Sequence, residues 1–416
     1  MVNRGGIVAL LVKKFGGSSV ATPEKMRHIA SRVLKERNPD DQIVIVVSAM
    51  GDTTDNLLNL ASKVTDKHYA RELDMLMSTG EQVSIAMMAM TFCSMGVPAQ
   101  SFTGPQAGII AEGVFGKGNI IDIKPARVFK ALAAGKIAIV AGFQAITPEG
   151  EIITLGRGGS DTTAVALAGA MKADMCEIYT DVEGVYSADP RVVPNAVKMK
   201  EISNEEMLEL ARLGAGVMQP QSISMGSRFH VPIHVRSTFS DSEGTIIRED
   251  NFGEEKGPVC GVAEDYNVAR IAAIGVENVP GTAAMIFNEL DKNEIPVDMI
   301  VQSVRRINDR RGDIIFTVAS TDLVDAKEVL EKLKADGRIN NILYDDNCAK
   351  VSIVGLEMLS APGVEARIFG ALGRKNINID IVSSSKNSIS CLVPRPKVDE
   401  AIRSIHAEFF KNKPQQ

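Results

Sequence analysis

The sequence predicts an α/β fold: an open, mainly parallel sheet sandwiched by helices, followed by two smaller copies of one repeating unit. Three observations predict it. Up to about residue 262, apolar runs alternate with amphipathic segments, the pattern of strands joined by helical crossovers. Two glycine-bearing segments, Lys14-Phe15-Gly16-Gly17-Ser18-Ser19 and Gly156-Arg157-Gly158-Gly159-Ser160-Asp161-Thr162-Thr163, each precede a helix-like stretch. Beyond the charged and glycine-rich stretch Ser240 to Pro258, which reads as a linker, the chain repeats itself at an offset of 82 residues.

Taken in order, the run Ile7 to Val12 reads as a buried strand, and Gly16 and Gly17 let the backbone turn and bring N–H groups against a ligand. Ser18, Ser19 and Thr22 then open a helix, Pro23 to Arg37, whose N-terminal dipole favours a phosphate. Ile43 to Val47 is a second strand ending at Ser48, with Thr54 capping a helix from Asn56 to Val64. Glu81 opens an apolar helix reaching Met95, and Pro125 to Ala134 forms another. Ile137 to Ala141 is a strand, Glu149-Gly150-Glu151 marks a hairpin, and Asp161 caps an alanine-rich helix, Thr162 to Met171. Ile178 to Thr180 is a strand leading into a loop with Gly184, Tyr186 and Asp189-Pro190-Arg191. His230 and His234 are four apart, but the alternation Val231 to Val235 reads as a strand and argues against a metal pair. In open sheets ligands sit beyond the carboxyl ends of strands, where the Lys14, Ser48 and Asp181 segments fall.

The repeat aligns Pro280-Gly281 with Pro362-Gly363, Phe287 with Phe369, Leu290 with Leu372, Ile295 with Ile377, Asp298 with Asp380, and Ser303 with Ser385. Each copy reads strand, Pro-Gly turn, helix, strand, strand, helix. The first loop differs by two residues, since Gly275 precedes Gly281 by six and Gly355 precedes Gly363 by eight. The second copy lacks room for a final strand after its last helix, and Ile342 to Tyr344 is the candidate for sharing. The expected division is 1–262, with a linker at about 240–262, then 263–345 and 346–416.

With 416 residues, 45% hydrophobic and 24% charged, the chain is too long for one ordinary core. A net charge of -6 and a pI near 5.6 offer no basic footprint for nucleic acid. No apolar stretch reaches the roughly 18 residues that would span a membrane, so a soluble, cytoplasmic protein is expected. Five widely separated cysteines argue for reduced thiols, with neither disulfides nor structural zinc. No GxxxxGK[ST] or Rossmann spacing occurs, so phosphate binding, if present, needs another cradle.

The strings KFGGSSV, VVSAMGDTTD (Val46 to Asp55), STGE (Ser78 to Glu81), GRGGSDTTA and TDVEGVYSADPR (Thr180 to Arg191) resemble, in order, motifs of the aspartate kinases in the amino acid kinase family. The resemblance covers nearly the whole chain, and the two repeats resemble ACT domains, ferredoxin-like βαββαβ modules that bind amino acids. It implies phosphoryl transfer from ATP, carried with Mg²⁺ on its phosphates, to the side-chain carboxylate of L-aspartate, the first step toward lysine, threonine and methionine. Lys14 then stabilises the moving phosphate beside Gly16, Gly17 and Ser18, while Thr180, Asp181, Tyr186 and Arg191 contact nucleotide. Ser48, Thr54 and Glu81 line the substrate site, Arg157 pairs with the α-carboxylate, and Ser160 with Asp161 completes the site, Asp161 meeting the ammonium. Lysine or threonine, as feedback effector, would lie against Gly281, Ala283, Asp298 and Gln302, with Asn378, Ile379 and Asp380 opposite. Paired modules of this kind imply a homodimer or larger assembly. One stretch departs from the family pattern: Gly214-Ala215-Gly216-Val217-Met218-Gln219-Pro220-Gln221 stands where many relatives carry a lysine and a His-Pro-Arg string. Two rivals stand beside this reading, a kinase for glutamate or acetylglutamate and a catalytically silent amino-acid sensor; the paired repeats and STGE oppose the first, and intact Lys14, Arg157 and Asp161 the second.

Overall fold

Strands form where the apolar runs are longest, and the most apolar of them are interior strands of the largest sheet. The computed structural model describes residues 8–249, 257–304, 311–356, 358 and 361–410. Gln42–Val47 and Ile137–Ala141 are buried almost throughout, as befits parallel strands covered on both faces. The eight-stranded sheet runs in the order Glu201–Ser203, Thr245–Arg248, Ile233–Ser237, Met175–Thr180, Leu10–Phe15, Gln42–Val47, Ile137–Ala141, Ala99–Phe102. All its pairs are parallel except Ile233–Ser237 with Thr245–Arg248. A smaller sheet contains the hairpin Gln144–Ile146 and Ile152–Thr154 around Gly150.

The first strand lies three residues later than its apolar run suggests, at Leu10–Phe15, which carries Lys14 to the strand end; Ile7 is outside the described residues. Side chains alternate across it. Phe15 joins Met26, Ile29 and Val33 of helix Pro23–Glu36 and Ile85, Met88 and Phe92 of helix Thr79–Ser94 in one core, whereas Lys14 faces helix Gly159–Met171.

Several local expectations are corrected. Ser18 and Ser19 do not open the first helix: Thr22 is its N-cap, accepting from Lys25 N at 3.3 Å, while Ser19 bonds Thr238 at 2.7 Å. Thr54 lies inside helix Thr53–Ser62, and Asp161 lies in the first turn of Gly159–Met171 behind Gly158, so neither is a cap. The stretch expected as linker contains strand Thr245–Arg248, because Ile247 is buried against Ile233; its residues 250–256 lie outside the described ones.

Contacts divide the chain into two compact units, whose described parts are 8–185, 198–212 and 216–249, and 186–197, 213–215, 257–304, 311–356, 358 and 361–410. The second holds two four-stranded antiparallel sheets. One is Ile300–Val304, Arg311–Val318, Ala269–Glu277 and Asn341–Asp345, covered by helices Thr282–Lys292 and Leu323–Ala335, a complete βαββαβ unit. The other is Gly261–Asp265, Cys348–Val354, Ser388–Pro394 and Ile381–Ser384, with helices Val364–Gly373 and Val398–Phe410. Asn341–Asp345 pairs with the first repeat alone among described strands, so it is not shared; the second repeat takes its fourth strand from Gly261–Asp265, ahead of the first repeat. The expected boundary at 262 therefore falls inside a strand. No helix among the described residues is long and apolar enough to cross a membrane.

Candidate active site

Strand ends and helix starts converge on a cavity of about 1010 Å³ in the first unit. Its walls carry Lys14, Gly16, Gly17, Ser48, Thr54, Glu81, Arg157, Ser160 and Asp161, nine of the expected residues drawn from segments spread over more than a hundred positions. Ser18, Thr180 and Asp181 belong to the same unit but do not line it. Tyr186 and Arg191 fall in the second unit, where the Arg191 guanidinium lies 2.6 Å from Asp189.

Each wall has a local cause. At Gly17 an added Cβ would stand 2.8 Å from the Ala49 carbonyl oxygen, so only glycine lets the first turn lie against the end of strand Gln42–Val47. Gly158 has φ +70°, and a side chain there would collide with Gln219 at 2.0 Å. These glycines bring the start of helix Gly159–Met171 to the lysine. The Lys14 ammonium is 2.6 Å from Asp161 Oδ1, both side chains being largely buried. A cation held at a helix N-terminus suits a phosphate.

Glu81 combines deep burial with a carboxylate oxygen that has neither a hydrogen bond nor an ion pair among the described residues. It is 2% exposed, one carboxylate oxygen accepts Ala49 N at 3.1 Å, and the other is buried without a hydrogen-bond partner. Burial pushes its pKa up to about 7, against the opposing pull of its hydrogen bonds with backbone N–H groups. An oxygen so placed lacks a donor, and an ammonium group would supply one. Arg157 is exposed at the cavity and makes no ion pair among the described residues, leaving its guanidinium open to a carboxylate.

Among the lining residues outside the expected set, two shape the walls. Asp74 is buried and accepts Thr154 N and Thr154 Oγ1 at 2.8 Å and Gly116 N at 2.9 Å, tying three segments into one wall; a lone aspartate in an amphipathic helix carries no such signal. Gln219, from the stretch that departs from the family pattern, lies against Gly158; that departure was the available signal. No group of His, Cys, Asp and Glu among the described residues is arranged to hold a metal ion. His234 sits on strand Ile233–Ser237 and His230 pairs with Glu249.

In the second unit, Gly281 and Gly363 both precede helices with positive φ, +99° and +88°. Asp298 pairs with Lys350 at 2.5 Å, Asp380 with Arg270 at 3.0 Å, and Asn378 donates to Asp380 at 3.0 Å. Ala283 and Ile379 pack on the two repeat cores, and Gln302 lies on strand Ile300–Val304.

A model of the amino acid kinase family matches residues 9–237, and a model of the ACT domain matches residues 271–333 and 351–409. An aspartokinase of Corynebacterium glutamicum is 46% identical over 405 residues, spanning 97% of this chain and 96% of that protein. The structure of E. coli aspartokinase III in complex with aspartate and ADP is similar with a TM-score of 0.81 at 24% identity, covering 96% of this chain and 100% of that one. The complex of the same enzyme with lysine and aspartate gives a TM-score of 0.76 at 24% identity, over 96% and 99%.

Proposed function

This chain belongs to the amino acid kinase family, as an aspartokinase with two ACT domains, and from that premise we propose that it transfers the γ-phosphoryl group of ATP to the side-chain carboxylate of L-aspartate, giving ADP and 4-phospho-L-aspartate. The observation that carries the reading is a single cavity holding an ion-paired lysine, an open guanidinium and an unpartnered buried carboxylate oxygen. Arg157 takes the α-carboxylate and Ser48, Thr54 and Ser160 supply hydroxyls. The ammonium goes to Glu81, because Asp161 is engaged by Lys14 and acts chiefly to position it.

Phosphoryl transfer asks the protein for positive charge and N–H donors around the moving group, with the acceptor oxygen held in line. Lys14 and the N–H groups of Gly16 and Gly17 serve that purpose. Mg²⁺ arrives with the nucleotide, held mainly by phosphate oxygens and water. Thr180, Asp181, Tyr186 and Arg191 are proposed as nucleotide contacts.

We further propose lysine, threonine or both as feedback effector at Asp298 and the Gly281 turn, with Gln302, Asn378, Ile379 and Asp380 around it, in a cytoplasmic homodimer or larger assembly. The solved relative holding lysine supports the effector class. The proposed division is a catalytic domain through about residue 260 and two regulatory repeats, the second including Gly261–Asp265.

Incubation with ATP, Mg²⁺ and hydroxylamine tests the reaction, since an acyl phosphate is trapped as a hydroxamate. Trapping with aspartate and not glutamate is expected. Trapping with glutamate alone would move the substrate, and silence with both would favour a sensor without catalysis.

A further inference from the structure

The two repeats are joined by crossed ion pairs that obey the internal repeat. On the first strand of each repeat the offset is 80, as Gly275 and Gly355 set it, so Arg270 corresponds to Lys350; on the next strand it is 82, so Asp298 corresponds to Asp380. The ladders agree: Arg270 stands opposite Thr317, whose carbonyl accepts Asp298 N, and Lys350 stands opposite Leu392, whose carbonyl accepts Asp380 N. Each cation reaches across to the other repeat's carboxylate, Arg270 to Asp380 at 3.0 Å and Lys350 to Asp298 at 2.5 Å.

The correspondence extends to a third position and breaks there. Arg270 has Asp345 opposite it on the fourth strand of its sheet and is bonded to it at 2.9 Å, so it holds two carboxylates at once. Lys350 has Asp265 opposite it on the fourth strand of its own sheet, at the equivalent place, yet among the described residues Asp265 makes no ion pair. Directly opposed side chains lie on one face with Cβ atoms about 5 Å apart, so Lys350 can reach Asp265 by changing rotamers alone. Lys350 thus has two carboxylates within range and occupies one.

Resting on the effector reading above, we infer that Lys350 is a tethered ammonium that occupies Asp298 when no effector is bound, and transfers to Asp265 when the effector's own ammonium takes Asp298. The exchange suits the burial of the groups. The Asp298 side chain is 56% exposed and open to an incoming amino acid, while the Lys350 side chain is 5% exposed and needs a counter-charge in either state. Asp380 offers no such opening, since its cation is anchored twice, so the first repeat responds and the second is fixed. Asp265 lies on the strand whose Val262 N–H bonds Ser187 O at 2.8 Å, in the segment that carries Tyr186 and Arg191, so the transfer changes charge beside that segment.

Calorimetric titration of the full chain with L-lysine and L-threonine, separately and together, tests this. Lys350→Met should tighten binding about two- to fivefold, because the tethered competitor is gone. Asp265→Asn should weaken it about tenfold or more, because the displaced ammonium has nowhere to go, and should have no effect in the Lys350→Met background. Equal effects of Asp265→Asn in both backgrounds, or none in either, would overturn the exchange while leaving the effector site standing. Unaltered binding to Asp298→Ala would instead remove the effector site itself, and this inference with it.

Discussion

Lys13 and Lys14, adjacent on strand Leu10–Phe15, point to opposite faces of the sheet, and what they meet there separates their roles. Lys13 is bonded to Glu177 in a buried network with Glu36, Arg236 and Tyr179, so its charge is spent on structure. Lys13→Met is expected to lower stability by about 3 kcal/mol in thermal unfolding, from the carboxylate left behind. Among the described residues Lys14 pairs with Asp161 alone, and it opens on the cavity. Lys14→Ala is expected to lower kcat by about 100- to 1000-fold with little change in the aspartate KM, and the converse in steady-state kinetics would remove its assigned role. Glu81 supplies a pH signature. With its pKa raised to about 7, it is mostly neutral below that pH and binds an ammonium poorly, so kcat/KM for aspartate should fall about tenfold per pH unit below 7. Glu81→Gln should abolish that limb of the profile.

At the scale of elements, the segment Tyr186–Val197, which carries the proposed nucleotide contacts Tyr186 and Arg191, packs with the second repeat. Ala188 and Val193 are buried in the core of the second repeat, and Ser187 Oγ bonds both Val197 N and His406 Nε2 at 2.8 Å. Tyr186 and Arg191 are therefore carried by an element whose packing belongs to a regulatory repeat. Val193→Ala should cost about 2 kcal/mol of stability. It should also raise the KM for ATP more than that for aspartate; equal changes in both would show that the segment does not serve the nucleotide. The strand Gly261–Asp265 makes a similar point about order in the chain, since it completes a sheet whose other strands begin more than eighty residues later.

Across the whole molecule, the parts readable from sequence were those with local causes. Turn glycines and buried apolar runs act over a few residues and marked the main sheet and the two glycine turns; the offset of 82 marked both repeats, and the other wall residues were implied by the family resemblance. Asp74 and Gln219 could not be read as wall residues, because each matters only through segments that folding brings beside it. The fourth strand of the second repeat was sought in the nearest free sequence, Ile342 to Tyr344, whereas edge pairing drew it from the other side of the first repeat. The helix expected from Pro23 starts there, and of the three hydroxyl residues expected to open it Thr22 alone does so, because proline at the first helical position and the Thr22 cap fix the start.

The most direct measurement is a crystal structure of the full chain with L-aspartate and a non-hydrolysable ATP analogue with Mg²⁺. The account predicts the α-carboxylate on Arg157, the ammonium on the free oxygen of Glu81, and the γ-phosphate on Lys14 with the Gly16 and Gly17 amides. Aspartate bound away from Arg157 and Glu81, or a γ-phosphate distant from Lys14, would contradict it.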